Sequence, residues 1–398
     1  MSAAPTRRAL ILVENLSVPF DRRVWREALT LRDAGWRVCV VSPRGADRDT
    51  AAHEVVDGIE VRRFRLVEAE GGLKAYVLEY GLALASMFLL ALRFRLGGRL
   101  DVIQICNPPD LLIFAALPFR LLGARIVFDH HDLSPELYIS KGGRADSGLH
   151  RALLFFERLT FRLADVVMST NESYRRIALE RGGKNPDDVF VVRNGPELSR
   201  LRCAAPNPAL RGGKPHLLVY VGMMGGQDGL DYLLRAVAAL AETRDDFRAL
   251  LVGDGPAVPG LRALAAELGV ADRVEFTGLV GQDRVFEAIA TASVCLCPDP
   301  KIGLNDLSTL VKVLEYMGMA KPVAAFDLTE TRASAGEAAL YATPNDPREF
   351  ADKIVELLDN PDEAARRGEI GRERILNGLA WDHQAEHLLA AYGRALER

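Results

Sequence analysis

The stretch Asn305-Asp-Leu-Ser-Thr-Leu-Val-Lys-Val-Leu-Glu-Tyr-Met-Gly-Met-Ala-Lys-Pro-Val-Ala-Ala325 reads as a helix with a polar start that leads directly into a strand. At about 100° per residue, Leu310, Val313, Leu314 and Met317 gather on one side of that helix, and Ser308, Lys312 and Glu315 on the other. The apolar side anchors the helix to a sheet, and Pro322–Ala325 provides the next strand of it. Repeated along a chain, this unit builds a mainly parallel sheet with helices on both faces.

The repetition is visible in both directions. His216–Val221, Arg248–Val252, Val274–Thr277 and Val294–Cys297 are strand-like runs with helical patterns between them. A separate series comprises Ala9–Val13, Arg37–Val41, Val61–Phe64, Val102–Cys106, Arg125–Phe128, Val166–Ser169 and Val189–Val192, with amphipathic stretches such as Arg22–Ala34 and Leu149–Ala164. Between the two series the periodicity breaks into a proline- and glycine-rich segment. The expected organisation is a Rossmann-like domain over 1–195, a linker over 196–215, a second such domain over 216–378 and a final helix over 379–398. A chain of 398 residues exceeds what one core usually serves. Ligands of doubly wound sheets bind at the carboxyl ends of the strands.

Composition excludes several functions. A net charge of −4 gives no basic domain and argues against nucleic acid as a partner. Cys39, Cys106, Cys203, Cys295 and Cys297 form no Cys-x-x-Cys pair, so no metal site is expected. An odd cysteine count without a framework suggests a reducing, cytoplasmic setting. The apolar run Ala75–Arg93 carries Glu79 and falls short of the roughly 20 unbroken residues of a spanning helix. It reads first as a buried or half-buried domain helix, and second as a peripheral contact with the inner face of a membrane.

The polar stripe on the 305–317 helix is where chemistry concentrates. Backbone amides at Ser308, Thr309 and Leu310 would sit at the helix start and could receive a diphosphate. Lys312 would add a charge, and Glu315, about 10 Å further on, could accept both hydroxyl protons of a ribose. A solvated helix face explains the same stripe. The loops at neighbouring strand ends favour the binding reading: Val221-Gly-Met-Met-Gly-Gly-Gln-Asp-Gly229, Val252-Gly-Asp-Gly-Pro256 and Phe276-Thr-Gly278 let backbone approach a ligand closely. Gly222, Met223, Gln227 and Asn305 join the donor-site candidates. No GxGxxG is present.

In this order, the motifs resemble the retaining glycosyltransferases of family 4, which have the GT-B fold of two facing Rossmann-like domains with a cleft between them. The matching pieces are Asp21-Arg-Arg-Val-Trp-Arg-Glu-Ala28, Asp129-His-His-Asp132, Ala164-Asp-Val-Val167, Arg193-Asn-Gly195, the three glycine loops, and Glu315-Tyr-Met-Gly-Met-Ala-Lys-Pro-Val323. The resemblance implies transfer of a sugar, with retained configuration, from a nucleotide-sugar donor (UDP-linked by expectation) to a polysaccharide, lipid-linked or small-molecule acceptor. It implies no metal and no cofactor, and a last helix that crosses back to the first domain. It assigns His131, rather than His130, to donor-sugar transfer. Asp21, Arg22 and Arg193 are candidate acceptor or phosphate contacts, with Arg23 beside Arg22 as an alternative, and Asp21 also reads as a plain helix N-cap. Glu330 either faces the ligand or caps the next helix.

The chain departs from the family at two places. The first of the family's two glutamates, eight positions before Glu315, is Leu307, with Asn305 and Asp306 the nearest polar replacements. The arginine and lysine common in the first glycine loop are replaced by Met223, Met224, Gln227 and Asp228. These substitutions keep two alternatives open: a nucleotide-sugar epimerase of the same fold, and a non-catalytic nucleotide-sugar-binding scaffold.

Overall fold

β-branched and aliphatic runs become the strands of two separate sheets. We describe them from a computed structural model. Its described residues are 7–45, 47–66, 73–201 and 205–398; the side chains of 73–78 and 200, and all of Cys203, lie outside them. The chain divides into two compact units, 1–192 with 385–398, and 193–384.

Unit 1 is built on β1 (Arg8–Leu12), β2 (Arg37–Pro43), β3 (His53–Val56), β4 (Ile59–Phe64), β5 (Val102–Cys106), β6 (Arg125–His130), β7 (Val166–Ser169) and β8 (Val189–Val191). Among the described residues their order is β3-β4-β2-β1-β5-β6-β7-β8. All neighbours are parallel except the antiparallel pair of β3 and β4. Every residue of β1 and β5 is buried, as strands covered on both faces require. One face packs Leu10, Leu12, Ile103, Ile105 and Phe128 against Ala83, Met87, Ala91 and Phe94 of the helix Leu73–Arg95. This is the apolar run of the membrane question, and it serves as a domain helix. No helix among the described residues is long and apolar enough to cross a membrane. The short strand β3 has no counterpart in the sequence reading.

Unit 2 carries β9 (His216–Val221), β10 (Phe247–Val252), β11 (Val274–Phe276), β12 (Val294–Cys297), β13 (Val323–Phe326) and β14 (Ala339–Ala342), ordered β11-β10-β9-β12-β13-β14 and all parallel. Alternation along β9 divides the core. Leu218 and Tyr220 join Leu233, Val237 and Ile354 on one face, and Leu217 and Val219 join Ile289, Val313 and Met317 on the other. The described part of the segment expected as a linker, 196–215, packs with this unit: the Asn207 amide donates to Thr291 Oγ1 at 2.8 Å, and its Nδ2 to Glu287 Oε1 at 2.8 Å.

At the carboxyl end of this sheet, the loops after β9 and β10 touch backbone to backbone. Gly253 has φ +136°, and a Cβ there would lie 1.9 Å from the Gly222 carbonyl oxygen. Only glycine fits this approach. Gly253→Ala should lower the stability of unit 2 by about 2 kcal/mol or more, read as an earlier urea midpoint. Gly260→Ala, in the helix Val258–Glu267 with no heavy atom within 4 Å of the new methyl, should leave the midpoint unchanged or raise it.

Candidate functional site

In unit 2, the expected single helix is two. Gly303–Leu307 forms a short turn of helix, Ser308 to Leu310 leave the helical path, and Val311–Gly318 forms the second helix with Leu310 as its cap. The amide of Ser308 bonds back to the Asn305 carbonyl at 3.2 Å, so Ser308, Thr309 and Leu310 are not the first turn of one helix. The amides without an intrahelical acceptor are those of Val311 and Lys312. Glu315 lies half-buried one turn further on.

Lys312 is not a free charge. Its Nζ lies 2.9 and 2.8 Å from the two oxygens of Asp299, 3.4 Å from the Tyr220 hydroxyl and 4.6 Å from the centre of the Tyr220 ring. Burial alone would lower the ammonium pKa, but Asp299 outweighs it and holds Lys312 above its ordinary range. The Cys297 thiol adds a contact to Asp299 at 3.3 Å. Gly222, whose Cβ would come within 3.5 Å of Lys312 Cε, brings the β9 loop against this pair. In that loop Met223 is exposed, and Asp228 is spent on the Gly225 amide.

The candidates for replacing the missing glutamate are tied up as well. Asn305 Nδ2 donates to the carbonyls of Gln227 and Pro300 at 2.8 and 3.1 Å, stapling two loops. Asp306 accepts from the amide and hydroxyl of Thr329, and so caps the helix Thr329–Ala335. Glu330 is buried in that helix's first turn, 3.9 Å from Arg193 Nη1, which places Arg193 in an ion pair.

In unit 1, β6 ends at His130 and delivers the two histidines to opposite environments. His130 turns inward among Phe128, Phe161 and Tyr174, and burial, then Arg181, lowers it to about 3. His131 stands at the strand end, its amide held by Asn107 Oδ1 and its Nδ1 2.9 Å from Asp129 Oδ2. Burial would lower the imidazole, but the charge and hydrogen bond of Asp129 prevail and raise it to about 9. Asp129 is fully buried, and its oxygens also take Arg23 Nε and Nη2, the latter at 2.6 Å. Arg23 reaches onward to the Val192 carbonyl at 2.9 Å. Asp21, read either as a ligand contact or as an N-cap, caps the helix Arg22–Asp33 by accepting from the amides of Arg23 and Val24. Arg22 remains exposed.

Comparison with known proteins decides what these arrangements belong to. Residues 21–195 match the model of a glycosyl transferase 4-like domain, and 215–360 that of glycosyl transferases group 1. The chain is 31% identical over 324 residues to the 2-deoxystreptamine glucosyltransferase of Streptomyces kanamyceticus, covering 79% of this chain and 82% of that protein. The chain belongs to the family 4 glycosyltransferases. Its fold is GT-B: a sucrose-phosphate synthase from Thermosynechococcus elongatus superposes with TM-score 0.76 over 96% of both chains at 18% identity. HepE of Anabaena, solved in complex with UDP, superposes with TM-score 0.70 over 96% of this chain and 98% of that one at 16% identity.

The glycosyltransferase carries partnerships that the sequence does not reveal. Asp299 and Tyr220 enclose Lys312, and Asp129 joins His131 to Arg23, which also meets Glu27. One signal was present: Arg23 and Glu27 fall one turn apart beside Val24, Ala28 and Leu31, on the buried side of an amphipathic helix. Glu27, Cys106 and Asp129 bring ligand-type atoms within 4.8 Å of one another. The Arg23 guanidinium is already bonded to Asp129 and lies 3.2 Å from Glu27, and burial keeps the Cys106 thiol protonated, so the charges of this cluster are matched by ion pairing within the protein.

The sign of one pH effect follows. His131 is raised to about 9 in the fold from 6.5, so its stabilising contribution is full below about 6.5 and disappears as pH climbs through 9. The unfolding free-energy difference between wild type and His131→Ala should therefore shrink across that window. A difference independent of pH would refute the pairing.

Proposed function

We propose that this glycosyltransferase moves a sugar, with retained anomeric configuration, from a UDP-sugar to a hydroxyl of a polysaccharide, lipid-linked or small-molecule acceptor. One observation carries the reading. The free amides of Val311 and Lys312, the Lys312 ammonium and the half-buried Glu315 are arrayed along one helix beside the Gly222 loop. A diphosphate at the helix start and a ribose at Glu315 match that order of groups. The UDP in the HepE structure supports the choice of nucleotide. The 2-deoxystreptamine named for the Streptomyces relative supports a small-molecule acceptor.

As the donor bond breaks, positive charge grows on the anomeric carbon and negative charge on the leaving diphosphate. Preorganised amides oppose the second charge without reorganisation, and Lys312 adds its charge once the diphosphate draws it from Asp299. His131, charged at neutral pH, contributes a hydrogen-bond donor to the transfer. The reading assigns no metal and no cofactor. A non-catalytic scaffold is the second reading, favoured by the engagement of Lys312 with Asp299 and of Asp306 with Thr329.

The test is incubation with a panel of nucleotide-sugars and acceptors. Release of nucleoside diphosphate supports transfer, binding without turnover supports the scaffold, and donor interconversion without release supports an epimerase. Glu315→Ala should weaken donor binding at least tenfold, about 1.4 kcal/mol, by calorimetry. His131→Ala should bind donor normally and lose transfer; unchanged binding in the first variant, or normal transfer in the second, removes that residue from the site.

We propose a cytoplasmic setting with peripheral contact at the inner face of the membrane. The described cysteines Cys39, Cys106, Cys295 and Cys297 are free thiols. Leu82, Leu89 and Leu96 are exposed along and just beyond the helix Leu73–Arg95, which ends on Arg93 and Arg95. Flotation with anionic liposomes, reduced by Leu89→Ser with Leu96→Ser, is the expected result; no flotation of wild type would overturn the contact.

A further inference from the structure

We propose that Tyr392, Gln104 and Glu27 are positioning residues for His131, forming a hydrogen-bond relay from the final helix that sets how firmly His131 holds its proton. The inference rests on the reading of His131 as a transfer residue.

The relay is continuous within unit 1. The Tyr392 hydroxyl, on the helix Trp381–Glu397, donates to Gln104 Oε1 at 2.8 Å. Gln104 Nε2 donates to Glu27 Oε2 at 2.7 Å. Glu27 Oε1 lies 3.2 Å from Arg23 Nε, Arg23 grips Asp129, and Asp129 accepts from His131 Nδ1. Tyr392, Gln104, Glu27, Arg23 and Asp129 are all buried, whereas His131 keeps about 10% of its side chain exposed. Low dielectric lets each polar contact act strongly on the next.

Direction comes from the amide of Gln104, which has a donor end and an acceptor end. A hydroxyl donating to Oε1 turns the NH2 group toward Glu27, and that bond favours the carboxylate. With the amide reversed, oxygen would face oxygen, which only a protonated Glu27 tolerates. Tyr392 therefore biases Glu27 toward giving up its proton. The groups acting on His131 are Asp129 and His130 from β6, Asp132 beyond it, and Arg23 and Glu27 from the helix Arg22–Asp33; Asp21 and Lys141 act on Asp132.

Burial and Asp129 push Glu27 up to about 8, while Arg23 and then the Gln104 hydrogen bond pull it back, so Glu27 and His131 titrate in adjoining ranges. Negative Glu27 favours positive His131. Weakening the Gln104 donation keeps Glu27 neutral to higher pH, and His131 then titrates lower.

The experiment uses the full chain, labelled at histidine and followed by NMR across pH, with His131→Gln assigning the resonance. Tyr392→Phe retains the ring against Trp36, 5.3 Å edge-on, and removes only the hydroxyl. The expected result is a His131 midpoint lowered by about half a pH unit or more. Glu27→Gln, which fixes a neutral side chain, should lower it further. The alkaline limb of the transfer rate should move down with the midpoint while donor KM holds. An unmoved midpoint in both variants overturns the relay. If the midpoint moves while His131→Ala still transfers sugar, the relay stands and the transfer role of His131 falls.

Discussion

A fully buried carboxylate at the end of β6 sets the terms for much of unit 1. Asp129 has no water to solvate its charge, and an ionised carboxylate in such a place persists only if cations and donors surround it. Arg23 and His131 are those partners, and burial is outweighed by Arg23 and then His131, which hold Asp129 below its ordinary range. The rest follows from bringing an arginine inside. The helix Arg22–Asp33 must begin where its first turn reaches β6, and the Asp21 cap fixes that start. Val192 must offer its carbonyl, so β8 must end within reach of the same guanidinium.

Unit 2 solves a similar problem with different residues. Lys312 comes inside against Asp299 and the face of Tyr220, again at the carboxyl end of a central strand. The two ion pairs differ in make-up. Asp129 draws on two cations, Arg23 and His131, whereas Lys312 is matched by one carboxylate, Asp299, and the face of Tyr220.

Much of this architecture was legible in the residues. Strands such as Val102–Cys106 and Val294–Cys297 announce themselves as short aliphatic runs because parallel strands are buried on both faces. The edge strand His53–Val56 escaped because its burial pattern is polar and mixed. The helix break at Ser308–Leu310 was also invisible, since Leu310, Val313, Leu314 and Met317 keep helical spacing across it. His131, Lys312 and Glu315 could be named from spacing and resemblance. Their pairings could not: Asp299, Arg23 and Glu27 join the site only through tertiary contacts, up to 106 positions apart for Arg23 and Asp129.

The last fourteen residues belong to the first unit, and this has a consequence for recombination among relatives. Arg394 and Arg398 both grip Asp188 beside β8, His387 meets the Val191 carbonyl, and Tyr392 reaches Gln104 in the central strand β5. A chimera joined once, at the 192/193 boundary, would inherit a tail evolved for a different sheet. Its contacts to Asp188 and to the Gln104 amide would then depend on what that tail carries at the positions of Arg394, Arg398 and Tyr392. A workable graft exchanges two segments together, 1–192 and 385–398, and treats the chain as a discontinuous pair of modules.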